Sequence, residues 1–326
     1  MTDINALATG ILAGNRRALA RAITLVESTR DDHRVQARLL LDRLGQANRQ
    51  ALRIGLSGTP GVGKSTFTES FGMMLVGQGL RVAVLAVDPS STRSGGSILG
   101  DKTRMDRLSR HPNAFIRPSP SQTALGGVAR RTREAIVLCE AAGYDVVLIE
   151  TVGVGQSEVM VADMSDIFVL LLAPAGGDEL QGVKRGIMEI ADLVIVNKAD
   201  GELKLVAERT CADYSGALRL LRKRAQDPKG FPLAMTVSAV EGTGLAESWE
   251  QITALVDWRR DKGFLARNRA RQAAVWFEEE VRNGVLARLQ ADETIRDLRG
   301  SLLTQVTAGE ISPDAAAEQV LAALVR

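Results

Sequence analysis

The chain has 326 residues, of which 45% are hydrophobic, 25% are charged and 4% are aromatic, and its formal net charge is +2. These values are typical of a globular protein with one large domain or a few smaller ones. The near-neutral charge and the few aromatic residues argue against nucleic acid or an anionic membrane as a partner. The longest apolar run, residues 167–175, is much shorter than the roughly 20 residues that span a bilayer.

The amino terminus and the two cysteines bear on the cellular compartment. Asp3 precedes the first basic residue, Arg16, which does not match the positively charged start of a signal peptide. Cys139 and Cys211 lie far apart and have no neighbours at metal-ligand spacing. We therefore expect a reduced, cytoplasmic setting.

Residues 1–50 are predicted to form a helical amino-terminal extension. Apolar residues recur there at an approximately helical spacing, and residues 35–44 repeat the pattern. Asp31 and Asp32 stand where they could cap a second helix. The apolar residues of the first part are Leu7, Ile11, Leu12, Leu19, Ile23 and Leu25. Because these helices precede the first strand, they need not belong to the domain that follows.

Residues 51–258 alternate between predicted strands and predicted helices, which indicates a doubly wound, mostly parallel α/β sheet. Several strands are nearly continuous apolar runs, as expected where both faces of a parallel sheet are buried. The predicted strands are 53–57, 81–87, 114–117, 145–150, 167–172, 193–197 and 233–238. The predicted helices are 64–76, 127–142, 179–190, 202–225 and 245–258.

Residues 259–326 are predicted to be helical and to form a dimerisation region, because a long amphipathic helix outside the α/β pattern has surplus apolar surface. This helix covers residues 264–289, and Gly300 is predicted to break the helical pattern that follows. Ser312 and Pro313 are predicted to cap and begin a terminal helix. Four apolar residues of the long helix follow one another at a spacing of four: Phe277, Val281, Val285 and Leu289.

The segment from Gly58 to Ser65 matches the pattern G-x-x-x-x-G-K-[ST] and lies between a predicted strand and a predicted helix. Its glycines allow backbone N–H groups to surround an anion, and the helix dipole adds to the attraction. Lys64 is expected to reach the β- and γ-phosphates, and Ser65 is expected to place its hydroxyl on Mg²⁺. The predicted nucleotide-binding residues of this segment are Gly58, Thr59, Pro60, Gly61, Val62, Gly63, Lys64, Ser65 and Thr66.

Acidic residues near predicted strand ends are candidates for a magnesium site, because Mg²⁺ prefers oxygen ligands. Asp88 and Glu150 each stand at the end of a predicted strand, and Asp101 follows the serine- and glycine-rich segment 94–97. Each of these carboxylates could instead be an ordinary solvated group. The predicted metal ligands are Ser65, Asp88, Asp101 and Glu150.

The four residues from Glu150 to Gly153 read Glu-Thr-Val-Gly, where many GTPases have Asp-x-x-Gly. The N–H of Gly153 is expected to contact the γ-phosphate, and residues 152–157 are a candidate switch loop. Lys64, Glu150 and Gly153 are the predicted catalytic residues. The residue after that glycine often positions the attacking water and is commonly glutamine, but here it is Val154. We therefore expect slow hydrolysis by the isolated protein.

The tetrad Asn197–Asp200, Asn-Lys-Ala-Asp, follows a predicted strand and predicts a guanine-binding loop. The Asp200 carboxylate could accept hydrogen bonds from N1–H and the exocyclic amine of guanine, which adenine does not present in that arrangement. Asn197 would hold the loop together, and the aliphatic stem of Lys198 could cover the purine. Three residues after a later strand could add backbone N–H contacts to the guanine carbonyl: Ser238, Ala239 and Val240. The expected ligands are GTP or GDP with Mg²⁺.

With these motifs in order, the chain closely resembles the MeaB/ArgK-type methylmalonyl-CoA mutase-associated GTPases over nearly its whole length. Besides the motifs above, the similar segments are 15–27, 88–91, 94–105, 150–158 and 178–184. The resemblance implies a homodimeric P-loop GTPase domain with helical extensions at both ends. It also implies an adenosylcobalamin-dependent mutase, such as methylmalonyl-CoA mutase, as partner. GTP use would then gate cofactor loading and protect the mutase from inactivation.

The same resemblance assigns roles to individual residues. Asp88, Asp101 and Glu150 match the magnesium-site acids of the family. Residues 173–184 match a loop that couples the nucleotide to the mutase. The residues of that loop expected to report the nucleotide state are Asp178, Gln181 and Lys184.

Two other functions share this kind of fold and stay open as alternatives. A GTPase metallochaperone for nickel or a similar ion would need soft or imidazole ligands, whereas the chain has two histidines and two isolated cysteines. A kinase for a small molecule or a protein would need an acceptor site and a base beside the phosphates. No residue outside the phosphate site stands out in the sequence for that role.

Overall fold

The computed structural model describes residues 3–87, 105–118, 125–151, 157–174 and 185–323. The chain divides into two compact units, Met1–Asn268 and Arg269–Arg326. Within the described ranges, no helix is long and apolar enough to cross a membrane. Part of the predicted site lies outside these ranges, namely Asp88, Asp101, Gly153, Asp178, Gln181 and Lys184.

The first unit is built on a parallel sheet. Its described strands are β1 Leu52–Ser57, β2 Val82–Val87, β3 Ala114–Arg117, β4 Val146–Thr151, β5 Ile167–Leu172, β6 Leu193–Val196 and β7 Leu233–Thr236. They lie in the order β3-β2-β4-β1-β5-β6-β7, and every neighbouring pair is parallel. All residues of β2, β4 and β5 are buried, which explains why β2, β5 and the first four residues of β4 are entirely apolar. The predicted α/β class is confirmed, and each predicted strand is present with ends that differ by at most two residues.

The strand order makes the carboxyl end of β1 the expected position for a bound ligand. This strand lies between β4 and β5, so the loop after β1 opens at the carboxyl-terminal edge where the direction of strand order changes. Open α/β sheets bind ligands at such a point. The helix α4, Lys64–Gly77, follows this loop. Its side chains Phe67, Phe71 and Leu75 recur every four residues and are buried in the core, which anchors the loop to the sheet.

Most of the other helices of the first unit were predicted and differ mainly at their ends, but the two short helices 106–110 and 157–162 were not predicted. Residues 179–184 of the predicted helix 179–190 lie outside the described ranges. In chain order they are α1 Ile4–Leu12, α2 Arg16–Glu27, α3 Asp31–Gly45, α5 Asp106–Arg110, α6 Leu125–Ala141, α7 Ser157–Ala162, α8 Arg185–Ile190, α9 Lys204–Leu220 and α10 Leu245–Asp261. The predicted helix 202–225 is instead a 3₁₀ turn followed by α9, which ends at Leu220. The guanidinium of Arg224, beyond this end, pairs with Asp192 and Asp227. These tertiary ion pairs favour an early end of the helix.

The amino-terminal helices α1–α3 belong to the same compact unit as the sheet. Arg34 of α3 donates to both carboxylate oxygens of Glu134 in α6, at 2.8 and 3.1 Å. Arg117 at the end of β3 pairs with Glu27 of α2. Asp31 does not cap α3 as predicted, because the helix begins directly after Arg30 and has no side-chain cap. Asp31 lies in the first turn instead, where the helix dipole favours its negative charge.

The carboxyl-terminal helices are α11 Phe264–Ala291, α12 Glu293–Thr307 and α13 Pro313–Ala323. The prediction that Gly300 breaks the helix is wrong, since Gly300 lies inside α12. The break is at Asp292, whose side chain accepts a hydrogen bond from the N–H of Ile295 at 3.1 Å. A glycine inside a helix costs only about 1 kcal/mol, so it does not have to end one. Ser312 caps α13 as predicted and accepts the N–H of Ala315 at 3.2 Å.

Candidate nucleotide-binding site

The loop from Gly58 to Ser65 connects β1 to α4, and two of its glycines are required by the packing around them. A Cβ atom on Gly58 would lie 2.3 Å from the carbonyl oxygen of Leu171 in β5. Gly63 has a φ of +86°, and a Cβ atom there would lie 2.8 Å from Nδ2 of Asn197. Side chains at these positions would clash or strain the backbone. The loop therefore packs tightly against β5 and the tetrad Asn197–Asp200.

Lys64 begins α4 and carries the cation of this loop. Its ammonium donates to the carbonyl oxygen of Gly58 and, at 3.4 Å, to that of Thr59. Burial lowers the pKa of Lys64, while the negative charges of Glu150 and Glu158 oppose that shift. A half-buried ammonium at a helix N-terminus is well placed to attract phosphate oxygens.

Glu150 lies near the carboxyl end of β4 and is only 3% exposed. Its Oε2 accepts a hydrogen bond from Oγ1 of Thr68 in α4 at 2.8 Å. Ser65, in the first turn of α4, is half-buried, and β4 is the direct neighbour of β1. A hydroxyl and a carboxylate are oxygen donors of the kind that Mg²⁺ prefers, so the residues present are compatible with this ion. Asp88 and Asp101, the other predicted ligands, lie outside the described ranges.

Asn197 connects the phosphate loop to the segment that follows β7. Its Nδ2 donates to the carbonyl oxygen of Val62 at 2.9 Å, and its Oδ1 accepts the N–H of Ala239 at 3.1 Å. The side chain is 2% exposed. A buried amide with both ends hydrogen-bonded holds two loops in a defined relation.

Asp200 and Ser238 lie together, at the two loops predicted to hold a base. The Ser238 hydroxyl donates to Oδ2 of Asp200 at 2.5 Å and accepts the N–H of Glu241 at 3.1 Å. These bonds orient the Asp200 carboxylate. Lys198, between Asn197 and Asp200, has a φ of +60°, an uncommon value for a residue other than glycine.

Two of the three backbone N–H groups predicted to face the guanine carbonyl donate to groups of the protein itself. The N–H of Ser238 donates to the carbonyl oxygen of Thr243 at 3.0 Å, and that of Ala239 donates to Asn197. Ser238 therefore acts through its hydroxyl rather than through its N–H. Val240 is 79% exposed, and its contact with a base stays a prediction.

Sequence reasoning missed two hydroxyl groups on α4. Thr68 reaches Glu150, and Ser70 donates to the carbonyl oxygen of Ala239 at 2.6 Å. The position of Thr68, four residues after Lys64, could have indicated that both side chains share one face of the helix. No local signal could have indicated the contact between Ser70 and Ala239, which are 169 residues apart.

Comparisons with known proteins agree with this geometry. The family model described as "Methylmalonyl Co-A mutase-associated GTPase MeaB" matches residues 19–294. A "probable GTPase" of Mycobacterium tuberculosis is 54% identical and covers 98% of this chain and 94% of its own. The mouse "Methylmalonic aciduria type A homolog, mitochondrial" is 50% identical over 98% of this chain and 79% of its own.

A solved structure is also similar over the full length. The crystal structure of a LAO/AO transport system kinase is 37% identical, has a TM-score of 0.76, and covers 100% of this chain and 99% of its own. The phosphate loop, the tetrad and the sheet order are thus embedded in a chain that is similar to these proteins as a whole. The chain belongs to the MeaB family of methylmalonyl-CoA mutase-associated GTPases.

Proposed function

We propose that this protein is a GTP-binding and GTP-hydrolysing chaperone that gates adenosylcobalamin loading to methylmalonyl-CoA mutase, or a related mutase, and protects it. The bridge made by Asn197 is the observation that carries the nucleotide part. It joins the carbonyl of Val62 in the phosphate loop to the N–H of Ala239 beside Asp200. A base and its phosphates can therefore be bound together. Two free cysteines support a cytoplasmic setting.

Each part of the nucleotide has a protein group suited to it. Backbone N–H groups of the loop Gly58–Ser65 and the Lys64 ammonium would bind the phosphates. The Asp200 carboxylate, oriented by Ser238, would accept the two guanine donors. Mg²⁺, when bound, neutralises phosphate charge, and Ser65 and Glu150 would hold it together with Asp88 and Asp101. Gly153 would contact the γ-phosphate, as its position after Glu150 suggests.

The mutase part of the proposal has a different support. The family description names methylmalonyl-CoA mutase, and the mouse relative's name refers to methylmalonic aciduria. Residues 173–184, with Asp178, Gln181 and Lys184, are the proposed coupling segment. Val154 replaces the common glutamine, so a partner would be expected to speed an otherwise slow hydrolysis; groups supplied in this way are worth about 10³–10⁵ in rate.

Steady-state hydrolysis of GTP with and without purified mutase tests the chaperone role, with ATP as the control nucleotide. We expect GTP to be strongly preferred and its hydrolysis to change when the mutase is present. An unchanged rate together with unchanged co-elution in gel filtration would remove the support for the mutase as partner, while leaving the nucleotide site intact.

Asp200→Asn tests the base assignment. The variant should lose at least about 100-fold in GTP use and gain activity on xanthosine triphosphate, whose base reverses the hydrogen-bonding requirement. Glu202→Gln is the matched control, because this carboxylate is exposed and lies two residues further along the chain. Equal GTP use by Asp200→Asn and wild type would contradict the assignment.

We also propose that the protein is a homodimer that associates through residues 259–326. The support is an exposed apolar face of α11, where Phe277 is 65% exposed, Val281 47% and Val285 48%. Phe277→Glu combined with Val281→Glu should give a monomer by light scattering. Leu220→Glu, at an 89% exposed leucine of α9, should leave the dimer unchanged.

A kinase activity is a second candidate, favoured by the name of the similar solved structure. Transfer of labelled γ-phosphate from GTP or ATP to an acceptor other than water would establish it. Release of all label as inorganic phosphate, across small-molecule and protein acceptors, would exclude it.

A further inference from the structure

Thr68 lies one helical turn after Lys64 on α4 and has no exposed surface. Residues four apart share one face of a helix, so Thr68 lies on the same side as the phosphate-loop lysine. A buried hydroxyl needs a hydrogen-bond partner, because leaving it without one costs free energy. Here Oγ1 of Thr68 lies 2.8 Å from Oε2 of Glu150, and both residues are buried.

This contact is not the bond that a helical threonine forms by default. Thr24, Thr132 and Thr253 each donate to the carbonyl oxygen four residues earlier, at 2.9 to 3.0 Å. Such a local bond is the common choice for threonine inside a helix. Thr68 instead donates across 82 residues of sequence to a carboxylate on β4. Because Thr68 donates to a distant carboxylate and not to its own helix, its hydrogen bond can orient the carboxylate of Glu150.

The hydrogen bond restricts how Glu150 can present its oxygens. An ionised carboxylate only accepts, so the hydroxyl must be the donor. A donor held on Oε2 by the rigid helix limits rotation of the whole carboxylate group and thereby sets the direction of Oε1 as well. The same helix carries Lys64 and Ser65, so one rigid element aligns the phosphate-binding cation, a candidate magnesium ligand and the Glu150 carboxylate.

We propose that Thr68 is a positioning residue for the magnesium–phosphate apparatus, which acts by holding the Glu150 carboxylate in the orientation needed to support Mg²⁺ beside Ser65. The proposal rests on the proposed function through the role given there to Glu150. It adds a residue that neither the phosphate-loop pattern nor the base tetrad contains.

The test compares Thr68→Val, which has the same shape without the donor, with Thr68→Ser, which keeps the hydroxyl. Release of a fluorescent GDP analogue is measured against Mg²⁺ concentration and again in the presence of a chelator. Thr68→Val should need about tenfold more Mg²⁺ for half-maximal retention, as expected from the loss of a hydrogen bond to an ionised group. Its retention with chelator should equal that of wild type, and Thr68→Ser should lie within about twofold of wild type.

Ser70→Ala is the matched control, because it removes another hydroxyl from α4 that binds the carbonyl of Ala239 instead. It should weaken GDP retention equally with and without Mg²⁺. In a Glu150→Gln background, Thr68→Val should have no further effect on the Mg²⁺ requirement, since the group that Thr68 positions is already changed. A full tenfold effect in that background would overturn the proposal.

The outcomes separate this proposal from the proposed function. If wild type shows no Mg²⁺-dependent retention of GDP, the proposed nucleotide and magnesium site fails. If wild type shows it and Thr68→Val has the same Mg²⁺ requirement, only the role of Thr68 fails. Thermal unfolding is measured first, and if Thr68→Val does not fold, Thr68→Ala takes its place in the same comparison with Thr68→Ser.

Discussion

At the amino-terminal edge of the sheet, Arg259 donates to Asp192 at 2.6 Å and to Asp227 at 2.7 Å. Arg224 adds a further cation at 2.7 Å from Asp192. At the carboxyl-terminal edge, the ammonium of Lys64 donates only to carbonyl oxygens of its own loop in the contacts described. Both edges therefore hold cations that are buried or half-buried, but among the described residues only the amino-terminal edge places carboxylates directly on them.

The pKa values of Arg259 and Lys64 shift in opposite directions. For Arg259 burial lowers the pKa, but Asp192 and Asp227 outweigh burial, and the net pKa is raised. For Lys64 burial is the largest effect and the net pKa is lowered, although Glu150 and Glu158 act against it. The carboxylates at the amino-terminal edge thus favour the charged form of Arg259, whereas the carboxyl-terminal edge keeps an ammonium whose charge is better balanced when an anion binds.

The largest expected effect is on stability and concerns Arg259 at the amino-terminal edge of the sheet. Arg259→Met should lower the free energy of unfolding in urea by about 3–5 kcal/mol, because it leaves Asp192 and Asp227 with less compensation in a buried site. Arg260→Met, one residue further on α10, removes an exposed pair with Asp257 and should cost at most about 1 kcal/mol. Similar losses in the two variants would show that the buried ion pairs of Arg259 contribute no more to stability than the exposed pair of Arg260.

The next effect is on activity and concerns Lys64 at the carboxyl-terminal edge of the sheet. Lys64→Met should lower the rate of GTP hydrolysis by about 10²–10³, the range found when a preorganised donor to transition-state charge is removed. Lys204→Met replaces an exposed lysine and should leave the rate unchanged. If Lys64→Met keeps more than about a tenth of wild-type activity in a steady-state assay, the ammonium does not have the role assigned to it.

The smallest effect is on stability without nucleotide, and its sign follows from linkage. Because the pKa of Lys64 is lower in the folded state than the ordinary value of 10.5, the unfolded state binds its proton more tightly. The contribution of Lys64 to wild-type stability is therefore unfavourable at neutral pH and recovers as the pH rises from the folded pKa toward 10.5.

Lys64→Met removes this unfavourable contribution. The variant should melt at a higher temperature than wild type at about pH 7, and the difference should shrink toward about pH 10. Titrating groups that do not interact with Lys64 are common to both proteins and cancel in the difference. A variant that is less stable than wild type at neutral pH would show that the carbonyl contacts of Lys64 outweigh the cost of burying its charge.

Much of the fold could be predicted because it is encoded in local pattern. Buried parallel strands need continuous apolar runs, and β4 and β5 have them. The motif Gly58–Ser65 needs a strand before it and a helix after it, and both are present. The prediction for Gly300 failed because a glycine weakens a helix by only about 1 kcal/mol, an amount that the rest of α12 can tolerate.

The sequence predicted which residues form the candidate site but not how they are connected. The roles predicted for Lys64, Asn197 and Asp200 rest on the chemistry of phosphate and guanine. Their partners do not follow from it, because hydrogen bonds between distant residues leave no periodic trace in sequence. Val62 and Asn197 are 135 residues apart, and Ser70 and Ala239 are 169 apart. Only the folded positions of the loops show that the N–H groups of Ser238 and Ala239 donate to Thr243 and Asn197.

Sequence pattern thus specified the α/β class and predicted the segment Gly58–Ser65 and the tetrad Asn197–Asp200 as the candidate site, because helical and strand periodicity and motif spacing are properties of neighbouring residues. Tertiary structure decided which charges are paired at the amino-terminal edge, how Asn197 joins two loops, and that Thr68 donates to Glu150. These outcomes depend on which side chains the folded sheet brings within about 3 Å of each other, a distance that residue spacing along the chain does not encode.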